Sequence, residues 1–360
     1  MSAFMDSIYT LGSKIGTKIR YQGKDFSFFS GTSYLGMGEV KAFEEKITEG
    51  LRRYGISHGL SRINNVRLDI YEKFESHFAL DAGAPDAIVW SSGFLAGNTA
   101  VDFLRTRHRH IWIAPGTHPA VLPSEVSIQS HSSREAWKTW CEDEAAKLPA
   151  SNILILSNSV DVLHPTVHHF DWIRELPSKH EYTLLIDDSH GFGVLGEGIY
   201  GCYHLWKHLP VNFLVSGSLG KGLSMPAGII LGPKEILGKI RMTATYRGAS
   251  PPPPAYLFAF LEGLDLFENQ RKKLHANMSL ANSLDTFGKL EHDPNFPVYG
   301  LKDVAWVDHL EKFGFIVSSF PYPTSNDPCI NRIVVSAAHE VTDLERLDQV
   351  LTELFMMNQV

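Results

Sequence analysis

Between residues 70 and 235, short apolar segments alternate with segments of helical pattern. Each apolar segment is almost continuously hydrophobic and has turn-forming residues at its ends, which is typical of parallel strands covered on both faces. The segments between them are amphipathic, as at 98–105 and 133–147. The six apolar segments are DAIVW (86–90), HIWIA (110–114), NILILS (152–157), YTLLID (182–187), FLVSG (213–217) and GIILG (228–232). This alternation predicts an α/β domain built on a mainly parallel sheet.

The pattern changes after Arg247. Four prolines at 251–254 suit the first turn of a helix but not its interior, so we expect one long helix to follow them. The segments beyond residue 290 read as three short strands (295–299, 314–318 and 332–336) and a final helix (343–355), which indicates a smaller α+β domain. We therefore predict an N-terminal arm that packs on the small domain (1–45), a large α/β domain (46–265) and a small C-terminal domain (266–360).

Composition argues against several functional classes. The 360 residues are 44% hydrophobic, which is enough for a large core. The formal net charge is −7 and the basic residues are scattered, which is unlike a nucleic-acid-binding protein. The three cysteines are far apart and form no CxxC pair, which argues against a disulfide framework and a thiolate metal site. With neither a signal-peptide pattern nor an apolar run of membrane length, we expect a cytoplasmic protein that binds no metal, nucleic acid or membrane.

Two charged side chains follow neighbouring predicted strands. Asp187 ends one strand and His190 follows it at the start of a glycine-rich turn, while Lys221 follows the next strand between Gly220 and Gly222. Ligands of open α/β sheets bind at the carboxyl ends of the strands, and glycines leave room for a flat ligand. A carboxylate that keeps a pyridine nitrogen protonated and a lysine that forms a Schiff base are what pyridoxal 5′-phosphate (PLP) requires. Taken singly, the aspartate could cap a turn and the lysine could be a solvated loop charge; together they predict a PLP site.

Three further segments could complete such a site. Ser92, Gly93 and Phe94 begin a helix after a predicted strand, and the free N–H groups and dipole at a helix start suit a phosphate. His118 also follows a strand and could stack on a cofactor ring, although an ordinary loop histidine is the commoner case. Arg332 opens an apolar strand of the small domain, where its guanidinium could hold a substrate carboxylate through two hydrogen bonds. An edge-strand arginine paired with surface acids is the equal alternative.

These segments resemble, in order and spacing, the α-oxoamine synthase family of fold-type I PLP-dependent enzymes. The likeness covers nearly the whole chain and is greatest to its 8-amino-7-oxononanoate synthase and 2-amino-3-ketobutyrate CoA ligase members. It implies a large domain with a mainly parallel seven-stranded sheet and a smaller α+β C-terminal domain. The segments that carry it are SYLGM (33–37), YGISHGLSR (54–62), SGF (92–94), DDSHGFGVLGEG (187–198), SLGKG (218–222) and SAAHE (336–340).

The resemblance implies four catalytic residues around the cofactor ring. Lys221 would form the Schiff base with PLP and would move the Cα proton of the amino acid. Asp187 would pair with the pyridine nitrogen, and His190 would form a hydrogen bond with the phenolic oxygen of the ring. His118 would stack on the ring face.

The resemblance also implies how the phosphate and the substrate are held. The SGF segment (92–94), through the backbone amides of Gly93 and Phe94, and the hydroxyl of Ser218 would bind the phosphate, and Arg332 would bind the carboxylate of the amino acid. Members of the family condense an amino acid with an acyl thioester, usually acyl-CoA. They are homodimers with shared active sites, and 247–254 would be the segment that reaches the partner's site.

Two other interpretations stay open. One is an aminotransferase-like or lyase-like enzyme on the same fold, with no thioester substrate. The other is a non-catalytic protein of this fold, against which the presence of Lys221, Asp187, His190 and Arg332 weighs.

The chain departs from the family pattern at several positions. The cofactor residues named above match the pattern, and the differences lie at other positions, around the substrates. They leave open which amino acid, which acyl chain and which thioester donor are used. They are Thr32 for asparagine, Val66 for glycine, Tyr71 for histidine, Ala114 for aspartate, Asn158 for glutamate, DVLHPT (161–166) for an SMDGD-like stretch and RGA (247–249) for a hydroxyl cluster.

Overall fold

The structure is a computed structural model that describes residues 8–124, 129–302, 304–322 and 324–357. Its α-helices are α1 (Lys41–Tyr54), α2 (Ile70–Ala82), α3 (Gly93–Arg105), α4 (Arg134–Lys147), α5 (Tyr203–Trp206), α6 (Lys234–Ile240), α7 (Ala244–Gly248), α8 (Pro254–Leu261), α9 (Leu264–Ser283), α10 (Val304–Lys312) and α11 (Val341–Met357). No helix within the described ranges is both long enough and apolar enough to cross a lipid bilayer.

The strands are short, and most of those of the α/β region match the apolar segments of the sequence. They are β1 (Lys18–Tyr21), β2 (Lys24–Phe29), β3 (Asp86–Trp90), β4 (His110–Ile113), β5 (Asn152–Asn158), β6 (Val160–Asp161), β7 (Thr166–Val167), β8 (Glu181–Asp187), β9 (Asn212–Ser218), β10 (Gly228–Gly232), β11 (Glu291–His292), β12 (Val298–Gly300), β13 (Phe315–Pro321) and β14 (Cys329–Val334).

The chain divides into two compact units. The large unit consists of residues 41–161 and 168–267, and the small unit consists of residues 8–40, 162–167 and 268–357. The domain limits expected from the sequence were 45/46 and 265/266. The segment 162–167 lies inside the expected large domain in sequence, yet it belongs to the small unit.

The large unit contains a six-stranded sheet in the order β3-β10-β9-β8-β5-β4. Strands β9, β8, β5 and β4 are parallel, whereas β10 is antiparallel to both of its neighbours. The resemblance predicts seven strands, and the described part of the chain contributes six; residues 125–128, between β4 and α4, lie outside it. The register pairs Asn158 of β5 with Asp187 of β8, so both side chains stand at the carboxyl edge of the sheet.

The core of the large unit explains why its strands are so apolar. The interior residues of β5 are all buried, because layers cover both faces of the sheet. Ala96 and Ala100 place small side chains on the core-facing surface of α3, which lets that helix approach the sheet. Each fully buried leucine or isoleucine of these strands contributes about 1.5–3 kcal/mol of transfer free energy.

The single long helix expected after the prolines is two helices, α8 and α9. The chain leaves the helical path at Glu262 and Gly263. A Cβ atom at Gly263 would lie 2.9 Å from the carbonyl oxygen of Ala259, so the turn tolerates only glycine without a shift. Glycine also has a low helix propensity, which favours a helix end at this position within an otherwise continuous apolar pattern.

The small unit has its own six-stranded sheet, in the order β1-β2-β13-β14-β12-β11. Of the strand pairs that the structure describes in this sheet, only β2–β13 is parallel. Its core includes Phe29, Phe287, Tyr299 and Phe315, and α11 contributes buried leucines to it. Arg332 is the fourth residue of β14 rather than its first, and β14 is an interior strand of this sheet.

Candidate active site

Asp187 lies at the carboxyl end of β8 with only 6% of its surface exposed. Its Oδ1 atom accepts a hydrogen bond of 2.9 Å from the backbone N–H of Ser189. Its Oδ2 atom lies 3.6 Å from Nδ1 of His118. One carboxylate oxygen is thus fixed by the backbone, and the other is positioned to accept a hydrogen bond from a cationic N–H group.

Lys221 and His190 meet at the same edge of the sheet. A hydrogen bond of 2.6 Å joins Nζ of Lys221 and Nε2 of His190. The two loops that carry them pack backbone against backbone, because a Cβ atom at Gly217 would lie 2.7 Å from the backbone nitrogen of Ser189, and one at Gly222 would collide with the carbonyl oxygen of Phe192. The sequence suggests that Gly222 leaves room for a ligand, but in the structure the carbonyl of Phe192 on the neighbouring loop fills that space.

The loop after β9 holds Lys221 in a closed turn. The backbone N–H of Leu219 donates to the carbonyl of Ala227 (2.9 Å), and its carbonyl accepts from the N–H of Met225 (2.9 Å). Ser224 has a φ of 53°, in the left-handed region that disfavours residues with a side chain. Such backbone strain is characteristic of loops whose conformation is set by function.

His118 is held as a neutral ring. Its Nδ1 atom accepts a hydrogen bond of 3.1 Å from the backbone N–H of Ala120, so the proton of the neutral imidazole lies on Nε2. Burial lowers the pKa of His118; the carboxylate of Asp187 opposes that shift and the charge of Lys221 adds to it. A neutral imidazole beside Asp187 can stack on an aromatic ring without competing for the carboxylate.

The start of α3 forms a cradle against the end of β9. Ser92 caps the helix by accepting from the N–H of Leu95 (3.2 Å), and the first N–H groups of any helix have no partner inside it. A Cβ atom at Gly93 would collide with the backbone of Ser218, so only glycine permits this approach. The Ser218 hydroxyl accepts from the N–H of Gly220 (3.1 Å) and keeps its own proton to donate. This cradle suits a phosphate group.

The large unit contains every cofactor residue that the sequence predicted, and contacts join Lys221 with His190, Asp187 with His118 and Gly93 with Ser218. They fit PLP by their chemistry: an amine for the Schiff base, a carboxylate for the pyridine nitrogen, a neutral imidazole for the ring face and a helix start for the phosphate. The set consists of Lys221, Asp187, His190, His118, Ser92, Gly93, Phe94 and Ser218.

Arg332 belongs to the small unit and is 8% exposed. Its Nη1 atom donates to the carbonyl oxygen of Val162 (3.0 Å), while Nε has no hydrogen-bond partner among the described residues. Since β14 lies inside its sheet and the side chain is buried, the alternative of a surface-exposed edge-strand arginine is wrong. A buried guanidinium with an unused donor is able to bind a carboxylate.

Two features of the large unit are not predicted by the sequence. One is the role of the Asn158 side chain, which the sequence marks only as a departure from the family pattern. The other is a cavity of about 660 Å³ between the 56–62 and 66–68 loop segments and the proline-rich segment 248–254. On its wall Arg62 forms a two-bond ion pair with the buried Glu75 (2.9 and 3.0 Å). Such pairing of distant segments leaves no pattern in a single sequence.

Several named proteins are similar to this chain over most of its length. An 8-amino-7-oxononanoate synthase of Chromohalobacter salexigens is 26% identical to this chain over 341 residues, and the match covers 89% of this chain and 87% of that protein. A serine palmitoyltransferase of Bacteroides thetaiotaomicron is 24% identical over 360 residues, covering 95% of this chain and 91% of that protein. Both names belong to the α-oxoamine synthases, which confirms the resemblance found in the sequence.

Solved structures show the same fold. The serine palmitoyltransferase of Sphingomonas wittichii superposes with a TM-score of 0.81 at 18% identity, covering 96% of this chain and 91% of that one. The 8-amino-7-oxononanoate synthase of Francisella tularensis superposes with a TM-score of 0.72 at 20% identity, covering 93% of this chain and 99% of that one. The model of the family described as aminotransferase class I and II matches residues 35–351. The chain therefore belongs to the aminotransferase class I and II family.

Proposed function

We propose that this protein is a PLP-dependent C-acyltransferase of the α-oxoamine synthase type, which condenses an amino acid with an acyl thioester. The observation that carries the proposal is the meeting of Lys221 and His190 beside Asp187 at one edge of the sheet. The names of the relatives support it, as does a serine palmitoyltransferase from S. paucimobilis solved with bound PLP-myriocin aldimine, whose TM-score is 0.80 at 16% identity.

PLP, when bound, supplies a conjugated ring that accepts the electron pair left on the amino acid's Cα. Asp187 would keep the ring nitrogen protonated, and Oδ2 is the oxygen left for that contact because Oδ1 accepts from the N–H of Ser189. Lys221 would supply the amine and would move the proton at Cα, and its contact with Nε2 of His190 positions Nζ for both roles. In the overall reaction a C–C bond would form between Cα of the amino acid and the acyl carbon, the C–S bond of the thioester would break, and the departing thiolate would take up a proton to leave as the thiol.

We assign Arg332 to the carboxylate of the amino acid. Its guanidinium is buried, and its Nε atom has no hydrogen-bond partner among the described residues, while Nη1 donates to a backbone carbonyl. A guanidinium in that state is stabilised by an incoming carboxylate, which supplies both charge and hydrogen-bond acceptors.

We further propose that the protein works in the cytoplasm as a homodimer, with the 56–68 loop and the 248–254 segment at its interface. Ile56 and Val66 are 78% and 64% exposed, and both line the cavity beside four consecutive prolines. Apolar side chains gathered at one place on a surface favour a protein partner over solvent. A second copy would cover them and would bring 247–254 to the neighbouring active site.

The test of the function is product formation from defined substrates. PLP-loaded protein would be incubated with alanine, glycine or serine and with acyl-CoAs of increasing chain length, while free thiol and product mass are measured. We expect thiol release that requires both the amino acid and the thioester, and a product that contains both carbon chains. Amino transfer to a keto acid with no thiol release would instead establish the aminotransferase-like alternative.

A further inference from the structure

The side chain of Asn158 forms two hydrogen bonds with the turn that precedes His118. Its Oδ1 atom accepts from the backbone N–H of His118 (2.9 Å), and its Nδ2 atom donates to the carbonyl oxygen of Gly116 (2.7 Å). Asn158 is the last residue of β5 and is paired in register with Asp187. It therefore connects the strand next to the carboxylate with the loop that carries the histidine.

Two hydrogen bonds of Thr117 and the backbone conformation of Gly116 fix the shape of this turn. The hydroxyl of Thr117 donates to the carbonyl of Ala114 (2.6 Å), and the N–H of Thr117 reaches the same oxygen (3.3 Å). Gly116 has a φ of 71°, a conformation that glycine adopts without strain. The turn thus presents the C=O of residue 116 and the N–H of residue 118 side by side, and a carboxamide is the side-chain group that offers a donor and an acceptor to both.

The opposite end of β5 carries the same arrangement. Asn152 accepts from the N–H of Arg109 (3.1 Å) and donates to the carbonyl of Arg107 (2.8 Å). Each asparagine joins the C=O of one residue and the N–H of the second residue after it, before β4 in one case and after β4 in the other. Only the Asn158 bridge adjoins the candidate active site, so Asn152 is a matched control.

We propose that Asn158 is the positioning residue of His118, acting through its two-bond bridge to the turn. The proposal rests on the proposed function, because the position of His118 matters for the face of the PLP ring. A carboxylate at position 158 would retain the acceptor for the N–H of His118, but it would repel the carbonyl oxygen of Gly116 and could donate nothing to it. This chain has asparagine where the family pattern has glutamate, and its turn is built for the amide.

The first experiment uses the protein without cofactor, so its outcome is independent of the proposed function. Hydrogen exchange of the backbone amide of His118 would be compared in wild type, Asn158→Asp, Asn158→Leu and Asn152→Asp. We expect exchange to accelerate about tenfold in Asn158→Leu, which loses both bonds, and by a smaller factor in Asn158→Asp. Asn152→Asp should leave this amide unchanged. Unchanged exchange in both Asn158 variants would overturn the bridge.

The second experiment asks whether Asn158 acts through His118. PLP affinity and the visible circular dichroism of bound PLP would be measured in Asn158→Asp, His118→Ala and the double variant. We expect Asn158→Asp to weaken PLP binding about tenfold alone and to add almost nothing once His118 is absent. Independent, additive losses would overturn the proposal, because they would show that Asn158 affects PLP binding without acting through His118. A wild type that fails to bind PLP would refute the proposed function but not the bridge.

Discussion

Nζ of Lys221 lies 2.6 Å from Nε2 of His190, although 31 positions separate the two residues in the chain. Parallel pairing of β8 with β9 brings their carboxyl ends together, and glycines at 217 and 222 let the two loops touch through their backbones. The contact between the two side chains therefore depends on strand pairing in the sheet and not on their closeness in sequence. Asp187, at the end of β8, completes the group.

Asp187→Asn should impair removal of the Cα proton far more than it impairs PLP binding. The amide does not stabilise a protonated ring nitrogen, whereas the phosphate cradle at α3 is untouched. We expect exchange of the Cα proton of alanine with solvent, followed by NMR, to slow by at least roughly 100-fold. Asp171→Asn, at an exposed acid, is the control. Wild-type exchange in the Asp187 variant would remove Asp187 from its assigned role.

Removal of Arg332 should weaken binding of the amino acid while leaving the absorption spectrum of bound PLP unchanged. We expect Arg332→Met to cost about 2–5 kcal/mol of binding free energy, since it leaves a buried carboxylate without its partner. Arg332→Lys should recover little, because an ammonium lacks the two parallel donors. Spectral titration with alanine, glycine and serine measures this, with Arg20→Lys, at an exposed position, as the control. Equal affinities in all variants would exclude Arg332 from the substrate site.

A charge in the cavity wall should separate the subunits of the proposed dimer. Ile56→Glu places a carboxylate among the apolar side chains that a second copy would cover. Leu80→Glu is the matched control, because Leu80 of α2 is also 78% exposed but does not line the cavity. We expect sedimentation to show a dimer for wild type and Leu80→Glu and a shift toward monomer for Ile56→Glu. A wild-type monomer that holds PLP and turns over substrate would contradict the shared site.

Most of the large unit could be predicted from the sequence, because buried parallel strands have a continuous apolar pattern that few other structures share. The placement of Lys221, Asp187 and His190 at one sheet edge is expected from it, since Asp187 ends a strand and the other two residues follow a strand by three positions. The break between α8 and α9 was not predicted, because the proline run and the apolar pattern both favour helix, and only the contact at Gly263 reveals the turn. The bridge of Asn158 and the 660 Å³ cavity depend on distant segments meeting, and a single sequence does not record such meetings.

The small unit should lose stability when the pH falls below neutrality, because His339 is buried as a neutral ring. Nδ1 accepts from the N–H of Ser336 (3.0 Å), Nε2 faces the carbonyl of Phe28 (3.0 Å), and the ring stacks on Phe29 at 3.9 Å. Burial lowers its pKa from 6.5 to about 4, against smaller opposing effects from the Phe28 carbonyl and Asp343.

The folded-state pKa of His339 lies below its unfolded value, so the unfolded chain binds the proton more tightly. Stability from this residue is complete above pH 6.5 and declines as the pH falls toward 4. We expect about 2 kcal/mol to be lost between pH 7 and pH 5. Urea unfolding of the small unit should show that loss in wild type and in His164→Gln, an exposed control, but not in His339→Gln. The same pH slope in all three would refute the assignment.

The covalent attachment point of PLP tests the central claim most directly. PLP-loaded protein would be reduced with borohydride, digested and mapped by mass spectrometry. We predict that the pyridoxyl label lies on Lys221, and that Lys221→Ala abolishes it while Lys207→Ala, at an exposed lysine, does not. A label on any other lysine, or no absorption band from bound PLP with the cofactor in excess, would contradict the account.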